Sequence, residues 1–319
     1  MRALVFETFG GPEVLHEAEV PRPVPTSRQA LVRVEYAGLN FADVYRRQGN
    51  YHLAGTPPWI LGYEGAGVIA ELGGEVEGLA VGDRVAFADS PHANAEFAAV
   101  DAERLIPLPD DIGTDTAAAL LLQGLTAQYL VADSHIIRPG EIVVVHAAGG
   151  GVGLLLVQLA AQYGATVVGL ASSEGKRAAA KAAGAAHVFG YDDWKEAILS
   201  DVGPADVVYD SIGATLADSL GVARTGGTVI FYGMAGGDPA PVDPRLLMDR
   251  SLTLTGGDLW NVLASAENRR TRATALFNAI RAGHLTVQIA ATYPLTDGAD
   301  AHRFLQGRGA IGKVLLHIG

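Results

Sequence analysis

Cysteine is absent from all 319 residues. That removes disulfides, thiol nucleophiles and thiolate metal sites together, and it fits a cytoplasmic compartment. Aromatic residues are sparse at 7%, and charged residues reach only 18%. Positive charge is the scarcer sign. There are 23 Lys and Arg against 35 Asp and Glu, a net charge of −12, whereas a nucleic-acid surface needs clustered cations. The nine His are scattered, with no H-x-x-x-H pair. The longest uncharged run, Ile142–Ser173, has the length of a membrane span. Its glycines and its strand–helix alternation read instead as a buried βαβ unit. The segment MRALVFETFGG meets an acid at Glu7 before any long apolar region, so it is not read as a signal peptide. No repeat and no low-complexity tail stands out.

What is present is a globular composition, 49% hydrophobic, and a chain long enough for two domains with substantial cores. The stretch from Glu141 to Lys176 organises it. Ile142–His146 is a short β-branched run, read as a buried strand. Ala147–Gly153 (AAGGGVG) is read as the turn, because it is too rich in glycine for a helix interior. Leu154–Tyr163 is apolar nearly all round and is read as a buried helix. Gly164 ends it, and Thr166–Leu170 is the next strand. The turn matches A-x-G-x-x-G, with Ala148, Gly150 and Gly153 in the three positions. In a strand–turn–helix–strand context, that spacing lets a pyrophosphate approach the bare backbone and the positive end of the helix. The rival reading is a glycine turn needed only for packing.

The second strand ends Gly169-Leu170-Ala171-Ser172-Ser173, with no acid at its tip. An NAD site usually carries one there for the ribose hydroxyls. Hydroxyls followed by Lys176 and Arg177 suit a 2′-phosphate, so NADPH is the expected cofactor. An ordinary helix start, with a Ser cap and Glu174 near the positive end, would give the same letters.

Around this unit, Met1–Phe6, Ala30–Tyr36, Val68–Leu72, Val81–Phe87 and Glu96–Val100 read as short strands with Gly and Pro turns, an antiparallel, barrel-like pattern. Gly38–Gly49 reads as a loop and a short helix. Thr114–Leu122 reads as a buried helix that continues through Gln123-Gly124-Leu125-Thr126 into a second one. Ala205–Asp210, Thr228–Tyr232 and Ser251–Thr255 continue the αβ alternation, and Glu267–Arg281 is a helix. Lys313–Ile318 is a terminal strand able to return to the first domain. The fold expected is therefore α/β: a doubly wound parallel sheet inserted in a β-rich domain. Two other motifs fail. Gly307–Lys313 (GRGAIGK) has P-loop spacing, but Val314 replaces Ser/Thr and a strand follows. Ala217–Gly221 (ADSLG) lacks the first Gly of a hydrolase elbow and follows no strand.

FGGPEVL (9–15), AGLNFADVY (37–45), GYEGAGVI (62–69), VGDRVAF (81–87), LLLQGLTA (120–127), HAAGGGVGLLLVQLA (146–160), VVYDSIG (207–213) and GKVLL (312–316) follow one another in order and spacing. Together they resemble the zinc-independent quinone oxidoreductases, of the zeta-crystallin type, in the medium-chain dehydrogenase/reductase superfamily. The resemblance covers nearly the whole chain. It implies a GroES-like catalytic domain at 1–122 and 262–319 and a Rossmann domain at 123–261. It also implies NADPH as cofactor, quinones or activated alkenes as acceptors, and a homodimer or homotetramer. Where zinc relatives carry a Cys and a His ligand, this chain has Asn40 and Tyr63, so no metal is expected.

Carried over residue by residue, the resemblance puts the nicotinamide near Asn40, Gln123 and Thr126, with Phe231, Tyr232, Gly233 and Met234 passing beside it. It puts the pyrophosphate at Gly150, Gly151 and Val152, and the 2′-phosphate at Ser172, Ser173, Lys176 and Tyr191. Asn40 is the expected carbonyl donor, Tyr45 or Tyr51 a proton source or stacking face, and Asp43 an orienting group. An Arg-Pro pair frequent in relatives is replaced by Gly256-Gly257. The activity implied is reduction of quinones by hydride transfer from NADPH without metal. The alternatives are an enone or enoyl-thioester reductase on the same scaffold, and a dinucleotide-dependent sensor or RNA-binding protein. No nucleic-acid or membrane partner is expected.

Overall fold

A computed structural model describes residues 1–53, 55–307 and 309–319. Ala54, within the 51–59 segment, and Arg308, within GRGAIGK, lie outside the described residues. The first third of the chain carries β1 (Arg2–Phe6), β2 (His16–Glu19), β3 (Gln29–Leu39), α1 (Phe41–Arg47), β4 (Trp59–Ile60), β5 (Glu64–Leu72), β6 (Arg84–Ala88), β7 (Phe97–Asp101), β8 (Ile106–Pro107) and α2 (Thr114–Tyr129). The alternating part follows with β9 (Ile142–Val145), α3 (Gly151–Gln162), β10 (Thr166–Leu170), α4 (Glu174–Ala182), β11 (His187–Phe189), α5 (Trp194–Asp201), β12 (Ala205–Asp210), α6 (Leu216–Val222), β13 (Ala223–Phe231), α7 (Pro244–Arg250) and β14 (Thr253–Gly256). The chain closes with α8 (Ala266–Arg281), β15 (Ile289–Pro294), α9 (Gly298–Gln306) and β16 (Lys313–His317).

Two compact units result. One comprises Met1–Leu122, Leu263–Asn278 and Val287–Gly319; the other comprises Gln123–Val262 and Ala279–Thr286. The return of Ala279–Thr286 to the second unit differs from the boundary drawn on sequence. Its cause is local: the Gln158 side chain on α3 donates to the Thr286 carbonyl at 3.0 Å and accepts from its N–H at 2.8 Å.

The second unit is a parallel sheet in the order β11-β10-β9-β12-β13-β14. Counted from β9, that is 3-2-1-4-5-6, the doubly wound order in which ligands bind where the winding reverses. The reversal falls between β9 and β12, with Val145 opposite Tyr209. Val144, Val168 and Val208 are fully buried between the helical layers, as strands covered on both faces require.

The first unit is mostly antiparallel, with the sheet β15-β16-β3-β5-β6-β8, β7 on β3, and a separate β2-β1-β4 ribbon. β3 is long because it serves several partners. Gln29–Arg33 pairs with β7, Tyr36–Leu39 with β16, and β5 runs along the other edge. β5 starts at Glu64, four residues before the Val68 start expected from the sequence, inside the glycine-rich GYEGAG. The glycines are part of the strand because a side chain on Gly67 would overlap the Arg33 carbonyl oxygen across the ladder. α2 likewise runs unbroken through Gln123-Gly124. Leu4, Phe6, Val32, Phe87 and Leu316 belong to one buried cluster that fills this unit.

Candidate active site

The glycine turn is built at the end of β9. Ala147 has a left-handed φ of +48°, a conformation costly for a residue with a Cβ. Its N–H is held at 2.9 Å by the Tyr191 hydroxyl, and its carbonyl accepts from Gly150 N–H at 2.8 Å. α3 begins at Gly151, earlier than the sequence suggests, with Gly150 as a cap that offers no side chain. Glycine is accepted in this first turn because of close approach: a Cβ on Gly153 would overlap the Ala147 carbonyl oxygen. Gly150 and its neighbours Gly151 and Val152 remain half-buried. First-turn N–H groups without a capping side chain form an anion cradle. The shape fits a dinucleotide pyrophosphate.

Beside the turn lies the tip of β10. Ser172 is exposed, and Ser173 Oγ accepts from Lys176 N–H at 3.4 Å as the cap of α4. The Lys176 stem lies over the turn, such that a Cβ on Gly149 would fall 2.6 Å from Lys176 Cβ. Arg177 Nη1 donates to the Ala171 carbonyl at 3.3 Å. Glu174 is exposed in the first turn of α4. The structure thus brings Ser172, Ser173 and Lys176 to the rim of the glycine turn. Tyr191 sits behind Ala147, its oxygen already accepting a backbone proton. Gln123 on α2 is brought against α3, where a Cβ on Gly151 would overlap its amide. Thr126, one turn further, is half-buried. Phe231 ends β13, and Tyr232 N–H donates to the Asp210 carbonyl at 2.9 Å. Gly233 and Met234 continue beside the loop after β12, where a Cβ on Gly213 would lie 3.2 Å from Met234 and one on Gly233 would lie 3.1 Å from Ser211 O. Gly257 also has a packing reason: a Cβ there would sit 2.5 Å from the Tyr129 hydroxyl.

In the first unit, a buried polar cluster surrounds the start of α1. Asn40 caps that helix, and its N–H donates to Asp43 Oδ2 at 3.0 Å. The Asn40 amide donates to the Gly38 carbonyl at 3.1 Å and to Glu64 Oε2 at 3.0 Å, and its oxygen accepts from Lys313 Nζ at 2.9 Å. Lys313 Nζ also meets Glu64 Oε2 at 2.5 Å, and Glu64 Oε1 accepts from Leu122 N–H at 2.7 Å. Both N–H groups of the Asn40 amide are therefore engaged internally. The donation to a substrate carbonyl expected of Asn40 would have to displace one of these internal partners. Asp43 is fully buried, 3.5 Å from Arg46; burial raises its carboxyl above the usual range, against the pull of Arg46. Burial lowers Lys313, opposed by Glu64. The Arg46 guanidinium lies 3.6 Å over the Tyr63 ring and 5.0 Å over Tyr51. The Tyr45 and Tyr51 rings meet edge-on at 6.3 Å. Asn40, Asp43, Tyr45 and Tyr51 thus share one neighbourhood.

Zinc does not fit this cluster. Lys313 is a positive charge already placed against Glu64 and Asn40, and Arg46 covers Tyr63, so the would-be ligand positions face cations. Among the described residues, no three His, Cys, Asp or Glu converge as a metal site. Sequence reasoning missed Lys313 and Arg46. The available signal for the first was a lone Lys opening the apolar strand KVLLHI.

Comparison with known proteins accords with this geometry. Residues 26–142 match the alcohol dehydrogenase GroES-like domain, and residues 151–273 match the zinc-binding dehydrogenase family. The chain is 37% identical to a 2-haloacrylate reductase from Burkholderia sp., across 98% of each chain. It is 36% identical to a quinone oxidoreductase from Pseudomonas aeruginosa, across 99% of each. Among solved structures, the quinone oxidoreductase of Escherichia coli complexed with NADPH matches with a TM-score of 0.96 and 33% identity over the whole of both chains. That of Pseudomonas syringae matches with a TM-score of 0.95 and 38% identity over 99% of each. The chain belongs to the zinc-independent quinone oxidoreductases of the medium-chain dehydrogenase/reductase superfamily. It is accordingly an oxidoreductase.

Proposed function

We propose that this oxidoreductase reduces quinones with NADPH and without a metal. The observation that carries the reading is the glycine turn at the winding reversal, with the Lys176 stem laid across it and no acid at the tip of β10. Bound NADPH supplies a hydride from C4 of its nicotinamide; with one proton, that hydride converts a quinone to a hydroquinone. The N–H groups of Gly150, Gly151 and Val152 would hold the pyrophosphate. Ser172 and the Lys176 ammonium would hold the 2′-phosphate, with Ser173 chiefly a helix cap and Tyr191 chiefly a support for the turn. Gln123, Thr126 and the 231–234 segment would bound the nicotinamide end. Asn40, locked by Lys313 and Glu64, shapes the acceptor side together with Asp43, Tyr45 and Tyr51. Chemistry of this kind asks the protein mainly for position, because water or a weak acid protonates a hydroquinone oxygen.

A second reading is supported by the 37% identity to a 2-haloacrylate reductase. An activated alkene needs a proton at carbon, and Tyr51 is the candidate donor. The two readings separate in one assay: NADPH and NADH oxidation, side by side, with quinones and with 2-haloacrylate or an enone. Turnover of quinones with NADPH supports the first; turnover confined to alkenes replaces it with the second; preference for NADH removes Lys176 from the cofactor site.

The same proposal includes a homodimer in the cytoplasm. β14 is the last strand of the parallel sheet, and Met248 on the adjoining α7 is 71% exposed. Light scattering that gives a monomer mass would remove this part.

A further inference from the structure

The glycine turn rests on a buried network that the proposed chemistry does not use. Asp210 ends β12, and its Oδ1 accepts from Ile212 N–H at 2.8 Å and Gly213 N–H at 3.1 Å. Its Oδ2 accepts from the hydroxyls of Thr215 at 2.8 Å and Ser219 at 2.7 Å. Ser219 Oγ lies 3.1 Å from His146 Nε2. Because the Ser219 proton goes to the carboxylate, the serine oxygen accepts from His146, which fixes the proton on Nε2. Asp210, Ser219 and His146 have no exposed surface. The composition is that of a hydrolase triad, but the hydroxyl points at the carboxylate and no substrate reaches it. Ser219 is the central serine of ADSLG, and Asp210 belongs to VVYDSIG, two stretches to which the reaction gives no role.

The placement suggests one. His146 directly follows β9 and Asp210 closes β12, the two strands between which the winding reverses. The imidazole packs at 5.8 Å against Tyr191 and edge-on at 5.0 Å to Trp194. Tyr191 in turn holds the left-handed Ala147 N–H. We infer that Ser219, His146 and Asp210 are positioning residues for the dinucleotide, holding the loop after β12 and, through Tyr191, the first N–H of the phosphate turn. This rests on the NADPH reading. A turn begun by a non-glycine residue with positive φ needs such outside support to persist, and the ring of His146 cannot press on Tyr191 in one orientation unless Ser219 fixes it.

The test is titration of the ligand-free chain with NADPH, following tryptophan fluorescence, for wild type, Ser219→Ala and Ser219→Cys. Removing the two buried hydrogen bonds of Ser219 should raise the Kd for NADPH in Ser219→Ala by about tenfold. The kcat at saturating NADPH should stay within about twofold, and Ser219→Cys should recover part of the affinity. If Ser219→Ala does not fold, His146→Phe carries the test, since it keeps an aromatic ring between Tyr191 and Trp194 and removes the Nε2–H donation to Ser219. A lower melting temperature with unchanged Kd in these variants would mark the network as scaffold alone and overturn the inference while leaving the NADPH reading intact. A wild type that binds no NADPH would overturn both.

Discussion

Lys313 Nζ lies 2.5 Å from Glu64 Oε2, and both side chains are at or below 1% exposure. The pair holds Asn40 in place and, through Leu122 N–H, ties α2 to β5 and β16. A buried pair broken on one side leaves an uncompensated charge, which costs about 3–5 kcal/mol. Lys313→Met should lower unfolding free energy by that order in urea titrations. The double variant Lys313→Met, Glu64→Gln should recover much of the loss. A double variant whose loss equals the sum of the Lys313→Met and Glu64→Gln losses would show that the pair is not energetically coupled.

The cofactor reading makes Lys176 selective rather than merely charged. Lys176→Ala should raise KM for NADPH by about 10- to 100-fold, the scale of one hydrogen bond to a charged group, and leave KM for NADH nearly unchanged. Parallel losses with both cofactors would remove Lys176 from a phosphate site.

Tyr51 divides the two reductase readings. Tyr51→Phe should change quinone turnover by less than about threefold, because position dominates there. A positioned acid contributes about 10²–10⁴ in rate, so alkene turnover, if present, should fall on that scale. A quinone kcat reduced a thousandfold would sink the positioning account.

Gly153 should not tolerate a side chain. Gly153→Ala places a Cβ in the Ala147 carbonyl oxygen, a backbone atom of the phosphate turn, so the turn must move. The variant is expected to lose NADPH binding in fluorescence titration more severely than it loses stability in thermal unfolding. Wild-type affinity in Gly153→Ala would refute the close packing.

Two buried histidines set the acid limit. Burial lowers His146 from 6.5 to about 4, and burial beside Arg47 lowers His302 from 6.5 to about 3. Below pH 6.5 the unfolded chain takes up protons that the folded chain refuses. Stability from these groups is therefore complete above 6.5 and is lost as pH falls toward 4. Each should contribute a slope of about 1.4 kcal/mol per pH unit within that window. Urea midpoints at pH 7, 6 and 5 measure the slope. His302→Asn, which keeps an acceptor for Arg47, should flatten it, and an unchanged slope would assign acid sensitivity elsewhere.

The nucleotide unit was the most legible part of the chain, because each of its signals is local. A β-branched run, a glycine turn and an apolar helix stand next to one another from Ile142 to Gln162, and strand type follows from those letters. Errors there concern ends: glycine in the first turn of α3 reads as loop because its reason, the Ala147 carbonyl, is a contact and not a pattern. β5 was shortened for the same cause at Gly67. The acceptor side was less legible. Asn40, Asp43, Tyr45 and Tyr51 are close in sequence and read as one group, with Asn40 as a donor to the acceptor. Its amide N–H groups go to the Gly38 carbonyl and to Glu64, and Lys313, 273 residues away, donates to its oxygen, a separation no spacing rule reaches. The Ser219–His146 contact spans 73 residues and is hidden for the same reason, since ADSLG on its own suggests only a nucleophile motif.

The partner of Glu64 lies 249 residues downstream, on the strand that completes the sheet beside β3. During synthesis the parallel unit is assembled from residues that have all emerged by Thr286. The β-rich unit then still lacks β16, and Glu64 has no ammonium to meet its carboxylate. Since domains fold largely as units while the chain lengthens, the part that appears first should be the part that finishes last. Until then, β3 exposes the edge at Tyr36–Leu39 that β16 will cover, an open ladder of the kind that recruits strands from other molecules.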